Sequence, residues 1–162
     1  MWWSDRRSVI LGALAVSACG FAPVYGPGGA GNRLLDRVSV DAPADRDSYL
    51  LVQRLEERLG RGSAPAYGLS LALNVKQERM AIDATNITTR FNVIGKATYA
   101  MRSLDDGAVL LSGSVDSFTG YSATGTTAAT QAAQRDARER LMTILADQIV
   151  TRLMAQAGTL PE

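Results

Sequence analysis

The sequence predicts an α+β fold, a two-layer sandwich in which helices cover one face of a mostly antiparallel four-stranded sheet. Two observations support this prediction. Three successive segments between residues 67 and 121 alternate apolar and polar side chains with a period of two, which is typical of strands with one buried face. One segment with helical periodicity precedes them, and a longer one follows them. With a short strand at the start, the expected order is β-α-β-β-β-α, with one short and one long helix on the apolar face of the sheet.

The first two elements of this order are short. Residues 34–40 predict a strand, and residues 48–59 predict a helix because leucines recur there at helical spacing. Asp47 or Ser48 can cap the start of this helix. Gly60 follows its last residue, where a left-handed conformation commonly ends a helix.

The three long strands are expected at residues 67–75, 91–101 and 109–121, with a modest loop between the first two. The short connections favour an antiparallel meander. Between the last two, a three-residue loop with Gly107 in the left-handed region keeps apolar residues on one face, whereas a two-residue loop mixes the faces. The three-residue loop predicts these cross-strand pairs: Met101 with Leu111, Ala97 with Val115, and Tyr99 over Gly113. Asp105 and Asp106 are then turn residues and not catalytic acids.

Residues 126–155 predict a long amphipathic helix. Its apolar stripe is expected to consist of Ala133, Ala137, Leu141, Ile144, Leu145, Ile149 and Leu153. A charged cluster near the middle is interpreted as a solvated face with ion pairs three or four residues apart: Arg135, Asp136, Arg138, Glu139 and Arg140.

Composition excludes several function classes. The chain has no His and one Cys, which excludes Ser-His triads and most zinc sites, so neither a metal site nor a cofactor is expected. Without Asp5, Arg6 and Arg7 the net charge of +1 falls to zero, so the overall field does not attract nucleic acid. Carboxylate chemistry stays open in principle, but no pair of acids stands out, and an enzyme is not expected.

The N-terminal residues are typical of an export signal ending at Cys19. A short basic region precedes an apolar run at residues 8–16, which is too short to span a bilayer, and then Ser17 and Ala18 provide small side chains. This order resembles the lipobox of bacterial lipoproteins, in which the Cys is diacylglycerated and N-acylated after cleavage in front of it. The Arg6-Arg7 pair also resembles a twin-arginine signal, although an ordinary basic region fits it better.

The sequence therefore divides into a signal peptide at residues 1–18, a lipidated Gly/Pro-rich tether at residues 19–32 and a single domain at residues 33–162. Cys19 begins the stretch CGFAPVYG, which resembles the start of the alphaproteobacterial lipoproteins of the LptE family. Later features agree at the level of pattern: Thr89-Arg90 opening a strand, Ala97-Thr98-Tyr99, Tyr121, and residues 132–153 with Asp136-Ala137 and Ile149.

This resemblance implies a non-enzymatic outer-membrane lipoprotein that sits in the lumen of a large β-barrel, LptD, helps it to assemble, and binds lipopolysaccharide for delivery to the outer leaflet. The candidate residues for lipopolysaccharide phosphates share the polar face of the second and third strands: Lys76, Arg90, Lys96 and Arg102. If the hairpin closes tightly, Lys76 is expected near Asn92, with Arg90 and Lys96 as diagonal neighbours. These cations are equally compatible with an ordinary solvated face. The alternative function is a generic periplasm-facing lipoprotein that scaffolds the envelope or binds a small ligand.

Overall fold

The computed structural model describes residues 30–82 and 88–160. In chain order the strands are β1 (Val38–Val40), β2 (Tyr67–Ile82), β3 (Thr88–Ser103) and β4 (Val109–Ser122). Helix α1 (Arg46–Leu59) lies between β1 and β2, and helix α2 (Thr127–Gln156) follows β4. Two short 3-10 helices, Ala30–Arg33 and Ala157–Thr159, flank these elements.

The four strands form one sheet in the order β1-β2-β3-β4. β2, β3 and β4 are antiparallel neighbours, while β1 runs parallel to β2 and pairs with it only from Tyr67 to Leu69. The predicted α+β fold is confirmed, with the detail that the sheet is mixed.

β2 and β3 are longer than the sequence predicts, because strand structure occupies most of the expected loop between Val75 and Thr89. Gln77 and Arg79 lie on the same side of β2 as Leu73 and Val75, yet they are exposed. Since this end of the strand is not buried, its residues lose the apolar alternation by which a strand is detected.

The predicted register between β3 and β4 is confirmed. Ala97 pairs with Val115, Tyr99 with Gly113 and Met101 with Leu111, and Gly107 has a φ of +73°. The loop is longer than predicted, because the backbone N–H of Ser103 donates to the carbonyl of Ala108 and leaves residues 104–107 between them. A register shift just beyond Met101 takes up the extra residue.

Helix α1 begins two residues earlier than predicted. Its N-cap is Asp45, whose carboxylate accepts from the N–H of Ser48 at 2.8 Å, while the Ser48 hydroxyl accepts from the N–H of Asp45 at 2.9 Å. The predicted caps, Asp47 and Ser48, are therefore wrong, because Ser48 is the reciprocal member of a capping box. Gly60 ends the helix with a φ of +83°. A Cβ there would lie 2.0 Å from the Asp36 carboxylate, so the position requires glycine.

The core lies between the sheet and the two helices. α2 packs on β3 and β4 as well as on α1, and α1 also contacts β1. Because α2 meets both the sheet and α1, its buried surface is wider than the predicted stripe and includes Met142, Ala146 and Val150. The prediction for Ile144 is wrong, since its side chain is exposed. Close approach to the sheet occurs at Gly95, where a Cβ would lie 3.0 Å from the side chains of Leu141 and Leu145.

Candidate functional site

The four predicted cations lie on the outer face, which we define as the face of the sheet turned away from the helices. On β3 the odd positions Val93, Ala97 and Tyr99 are buried against the helices, so the even positions point outward. The pairing register carries the same alternation to the even positions of β2 and β4. Lys76, Arg90 and Lys96 are exposed there.

Arg102 differs from the other three because it is already paired. Its guanidinium donates to the carboxylate of Asp41 at 2.8 Å, and this interaction raises the pKa of Arg102. Arg102 lies opposite Gly68, at the end of β2 where β1 pairs. The arginine is thus engaged within the protein and is distant from the remaining candidates.

The predicted neighbourhood of Lys76 is confirmed for Asn92 and Lys96 but not for Arg90. Lys76 lies directly opposite Ile94, with Asn92 and Lys96 as its two diagonal neighbours. Arg90 lies four residues from Ile94 along β3, or about 13 Å at the usual rise of a strand. The structure therefore brings Lys76 and Lys96 together and leaves Arg90 separate.

An apolar pair beside these two lysines, with one residue exposed and one half-buried, was missed from the sequence. Ile94 lies opposite Phe118 of β4, whose side chain is 64% exposed. Lys76, Ile94 and Phe118 consequently form one row across three strands, and Lys96 lies next to it, opposite Asp116. One feature of the sequence could have revealed this pair. Phe118 is a large aromatic residue at an outward position of β4, where most of the other residues are polar. We call Lys76, Ile94, Lys96 and Phe118 the outer-face patch.

The charged cluster of α2 behaves in part as predicted. Arg140 pairs with Asp136 on the same helix, whereas Arg138 crosses to Asp47 of α1. A groove of about 420 Å³ lies at this junction, lined by Asp45, Arg46, Asp47, Leu50, Arg135 and Arg138. Acidic and basic side chains alternate along it, so the groove does not present a single sign of charge.

The acids of the loop between β3 and β4 serve the turn, as predicted. The carboxylate of Asp106 accepts from the N–H of Ala108 at 3.0 Å, and this hydrogen bond holds the pKa of Asp106 below its ordinary value. Asp105 lies beside it and is exposed. Within residues 30–82 and 88–160, no three His, Cys, Asp or Glu side chains cluster as ligands for a metal ion.

The predicted lipidation site, Cys19, lies outside the described residues, as do the signal and most of the tether. In the described part of the chain, neither long helix has the apolar length needed to cross a bilayer.

Comparison with known proteins identifies the family. The model of the LptE family, described as lipopolysaccharide-assembly, matches residues 35–153. A search of curated proteins gave no match.

Solved structures agree with this match. A crystal structure of a candidate lipoprotein from Caulobacter crescentus is similar at a TM-score of 0.68 and 26% identity, covering 82% of this chain and 100% of that one. Rare lipoprotein B from Shewanella oneidensis gives a TM-score of 0.57 at 14% identity, covering 76% of this chain and 95% of that one. A minor lipoprotein from Acinetobacter baumannii gives 0.51 at 17% identity, covering 77% and 92% respectively. At 14% and 17% identity, the last two similarities support the fold alone. The chain therefore belongs to the LptE family and has a role in lipopolysaccharide assembly at the outer membrane.

Proposed function

We propose that the mature protein is lipid-anchored at Cys19 in the outer membrane and works with an LptD-type β-barrel, as plug and assembly partner, to place lipopolysaccharide in the outer leaflet. The observation that carries this proposal is the family match over residues 35–153, which covers most of the folded part of the chain. A non-catalytic role is part of this proposal: the family match supports it, and so do the lack of His in the sequence and the turn position of the aspartates at residues 105 and 106.

The dimensions of the fold support a position inside a wide barrel. α2 has 30 residues, and β2 and β3 have 16 each, which corresponds to lengths of about 45 Å and about 50 Å. Four strands side by side are only about 19 Å wide. Plugged lumens occur in barrels of about 22 strands, and the interior wall of such barrels is polar. The outer face has polar or charged residues at most of its positions, so it is matched to a polar wall.

The lipid anchor would hold at the membrane a domain whose described residues include no membrane-spanning helix. Each buried methylene contributes about 0.8 kcal/mol, and one acyl chain alone gives only reversible binding. The three chains expected on Cys19 add together, so the anchored domain does not leave the membrane on the time scale of transport.

The outer-face patch supports direct contact with lipopolysaccharide. The ligand combines phosphate groups with acyl chains, and the patch combines two exposed lysines with the exposed Phe118 and the half-buried Ile94. Lysine offers phosphate a point charge, while the aromatic ring and the isoleucine offer apolar area. We propose Lys76 and Lys96 as the phosphate contacts, with Arg90 as an outlying cation.

The barrel partnership is tested by purifying the tagged protein from outer membranes in mild detergent. The expected result is a stoichiometric complex with one large barrel protein. Recovery of the lipoprotein alone, from membranes in which the barrel is present, would support the alternative of a free envelope scaffold and overturn the proposal.

The lipopolysaccharide contact is tested separately on the folded domain. The double variant Lys76→Glu with Lys96→Glu should weaken binding of purified lipopolysaccharide at low salt by at least about tenfold. The matched control is Arg46→Glu with Arg135→Glu, which changes the net charge equally on the helix side and should leave binding unchanged. If both variants lose lipopolysaccharide binding equally, the patch acts only through the overall electrostatic field of the domain, and the proposed contact is overturned.

A further inference from the structure

The backbone of β2 has an open edge. The N–H of Tyr67 and the carbonyl of Leu69 bond to residues at the β1 side, so the odd positions of β2 direct their backbone groups to that edge. β1 pairs no further than Leu69, while the regular pairing of β2 with β3 continues to Arg79. Among the described residues, nothing bonds to the edge backbone groups of the next five odd positions: Leu71, Leu73, Val75, Gln77 and Arg79. Exposed edges of this kind are templates for a further strand.

The other edge of the same sheet is protected at two of its carbonyls. The even positions of β4 direct their backbone groups away from β3, and two arginines of α2 reach carbonyls there. Arg152 donates to the carbonyl of Ser114, and Arg140 to that of Gly120 at 3.4 Å. Covering edge groups in this way discourages pairing with another chain. The difference between the two edges indicates that the edge of β2 is left open for a partner.

The open edge also has an apolar side. Leu71, Leu73 and Val75 face the helix layer, yet each is only half-buried. α2 packs over β3 and β4, and α1 reaches the sheet at β1, so this part of β2 has no complete cover. A strand added at the edge would shield these three side chains as well as pair with the backbone.

We propose that an extended segment of the barrel partner adds to this edge as a fifth strand, in line with β1. This inference rests on the proposed function. Strands in a closed barrel wall have no free edge, so the segment is one that the barrel chain projects from its wall. The edge also defines the side chains of the segment. They alternate, with apolar residues toward Leu71, Leu73 and Val75 and with polar residues on the outer face.

A second copy of this chain fits the edge poorly. Two copies could pair through antiparallel β2 strands about a two-fold axis at Asn74, Val75 or Gln77. The β2–β3 hairpin of the second copy would then reach the edge beside Leu69, which Val40 of β1 already occupies, and the two would clash. Pairings centred on Lys76, Glu78 or Arg79 place like charges directly opposite each other, which is unfavourable. A single extended segment that ends before β1 meets neither obstacle.

The test uses proline, because proline removes an edge N–H and fills the space of the incoming strand. Val75→Pro removes an N–H that points to the open edge, so the pairing of β2 with β3 is retained and the domain is expected to fold. The matched control is Ser112→Pro, which removes an edge N–H on β4. Both variants are expressed with the wild-type lipid anchor, and circular dichroism verifies that each is folded.

In the detergent purification, Val75→Pro should reduce the amount of barrel recovered by at least about tenfold, whereas Ser112→Pro should leave it unchanged. As an independent measurement, a photo-cross-linking residue at position 77, on the helix side of the open edge, should capture the barrel chain. If wild type recovers the barrel but Val75→Pro recovers it equally and position 77 gives no cross-link, the inference is overturned and the proposed function stands. Capture of a second copy at position 77 would also overturn it. Failure of wild type to recover any barrel would contradict the proposed function itself.

Discussion

The substitution Gly113→Ala gives a test of the packing between β3 and β4 in which the sign of the effect is predicted. Alanine in place of a strand glycine ordinarily stabilises a protein by about 0.5–1 kcal/mol, because glycine loses more backbone entropy on folding. Here the ring of Tyr99 covers Gly113. A Cβ at position 113 would lie 2.7 Å from the Tyr99 hydroxyl oxygen and 2.8 Å from Cζ.

The expected magnitude follows from those distances. Carbon atoms in contact are separated by about 3.5–4.0 Å, so the ring must move by nearly 1 Å to admit a methyl group. Tyr99 is only 2% exposed, so its ring cannot simply swing out into solvent. Overpacking of this kind costs about 1–3 kcal/mol. Gly113→Ala should therefore lower the free energy of unfolding, and for a domain of this size each kcal/mol lowers Tm by about 4 °C.

The assay is a double-mutant cycle with Tyr99→Leu, measured by urea unfolding. Leucine lacks the ring atoms that come closest to position 113. In the Tyr99→Leu background, Gly113→Ala should become neutral or stabilising, so the destabilisation seen in the wild-type background should disappear. If alanine stabilises the wild-type protein, or destabilises both backgrounds equally, the ring does not cover the glycine and the reasoning is refuted.

Three further predictions concern other parts of the molecule. The N–H of Ser48 holds the pKa of Asp45 below its ordinary value of 3.8, so the stability that this carboxylate contributes is present above pH 3.8 and is lost as the pH falls through the lowered pKa. Asp45→Asn retains a capping side chain but removes the titratable carboxyl group. The free energy of unfolding of this variant should therefore fall less steeply than that of the wild type as the pH is lowered in acid unfolding. Leu145→Ala, at a position with no exposed surface, should lower the free energy of unfolding by about 2–5 kcal/mol, measured in urea. Cys19→Ala should release the protein from the membrane fraction, and mass spectrometry of the wild-type membrane form should find an acylated Cys19 rather than a free thiol.

The parts of the fold that the sequence predicts well are those where burial on one face is continuous. The register of β3 on β4 follows from matching apolar faces, because a slip of one residue would expose Met101 and Ala97. Where a strand is no longer buried, the alternation of apolar and polar residues that predicts it is also lost. Gln77 and Arg79 lie on the helix-facing side of β2, past the region that the helices cover. The extent of β2, and with it the residue directly opposite Lys76, could therefore not be predicted.

Other features depend on contacts between distant segments. Arg102 is removed from the candidate site by Asp41, which lies 61 residues away in the sequence. The burial of Met142 and Val150 depends on α1 packing against α2, which the periodicity of α2 alone does not specify. The open edge of β2 and the arginines that cover β4 likewise become visible only once the strand order is known.

The central claim, a role in lipopolysaccharide assembly, is tested most directly by depleting the protein from its own cells and measuring lipopolysaccharide at the cell surface. We predict that surface lipopolysaccharide falls as the protein is depleted, while total lipopolysaccharide does not. Expression of the wild-type chain should restore the surface level, and expression of the chain with Cys19→Ala should not. Depletion that leaves surface lipopolysaccharide unchanged would contradict the account.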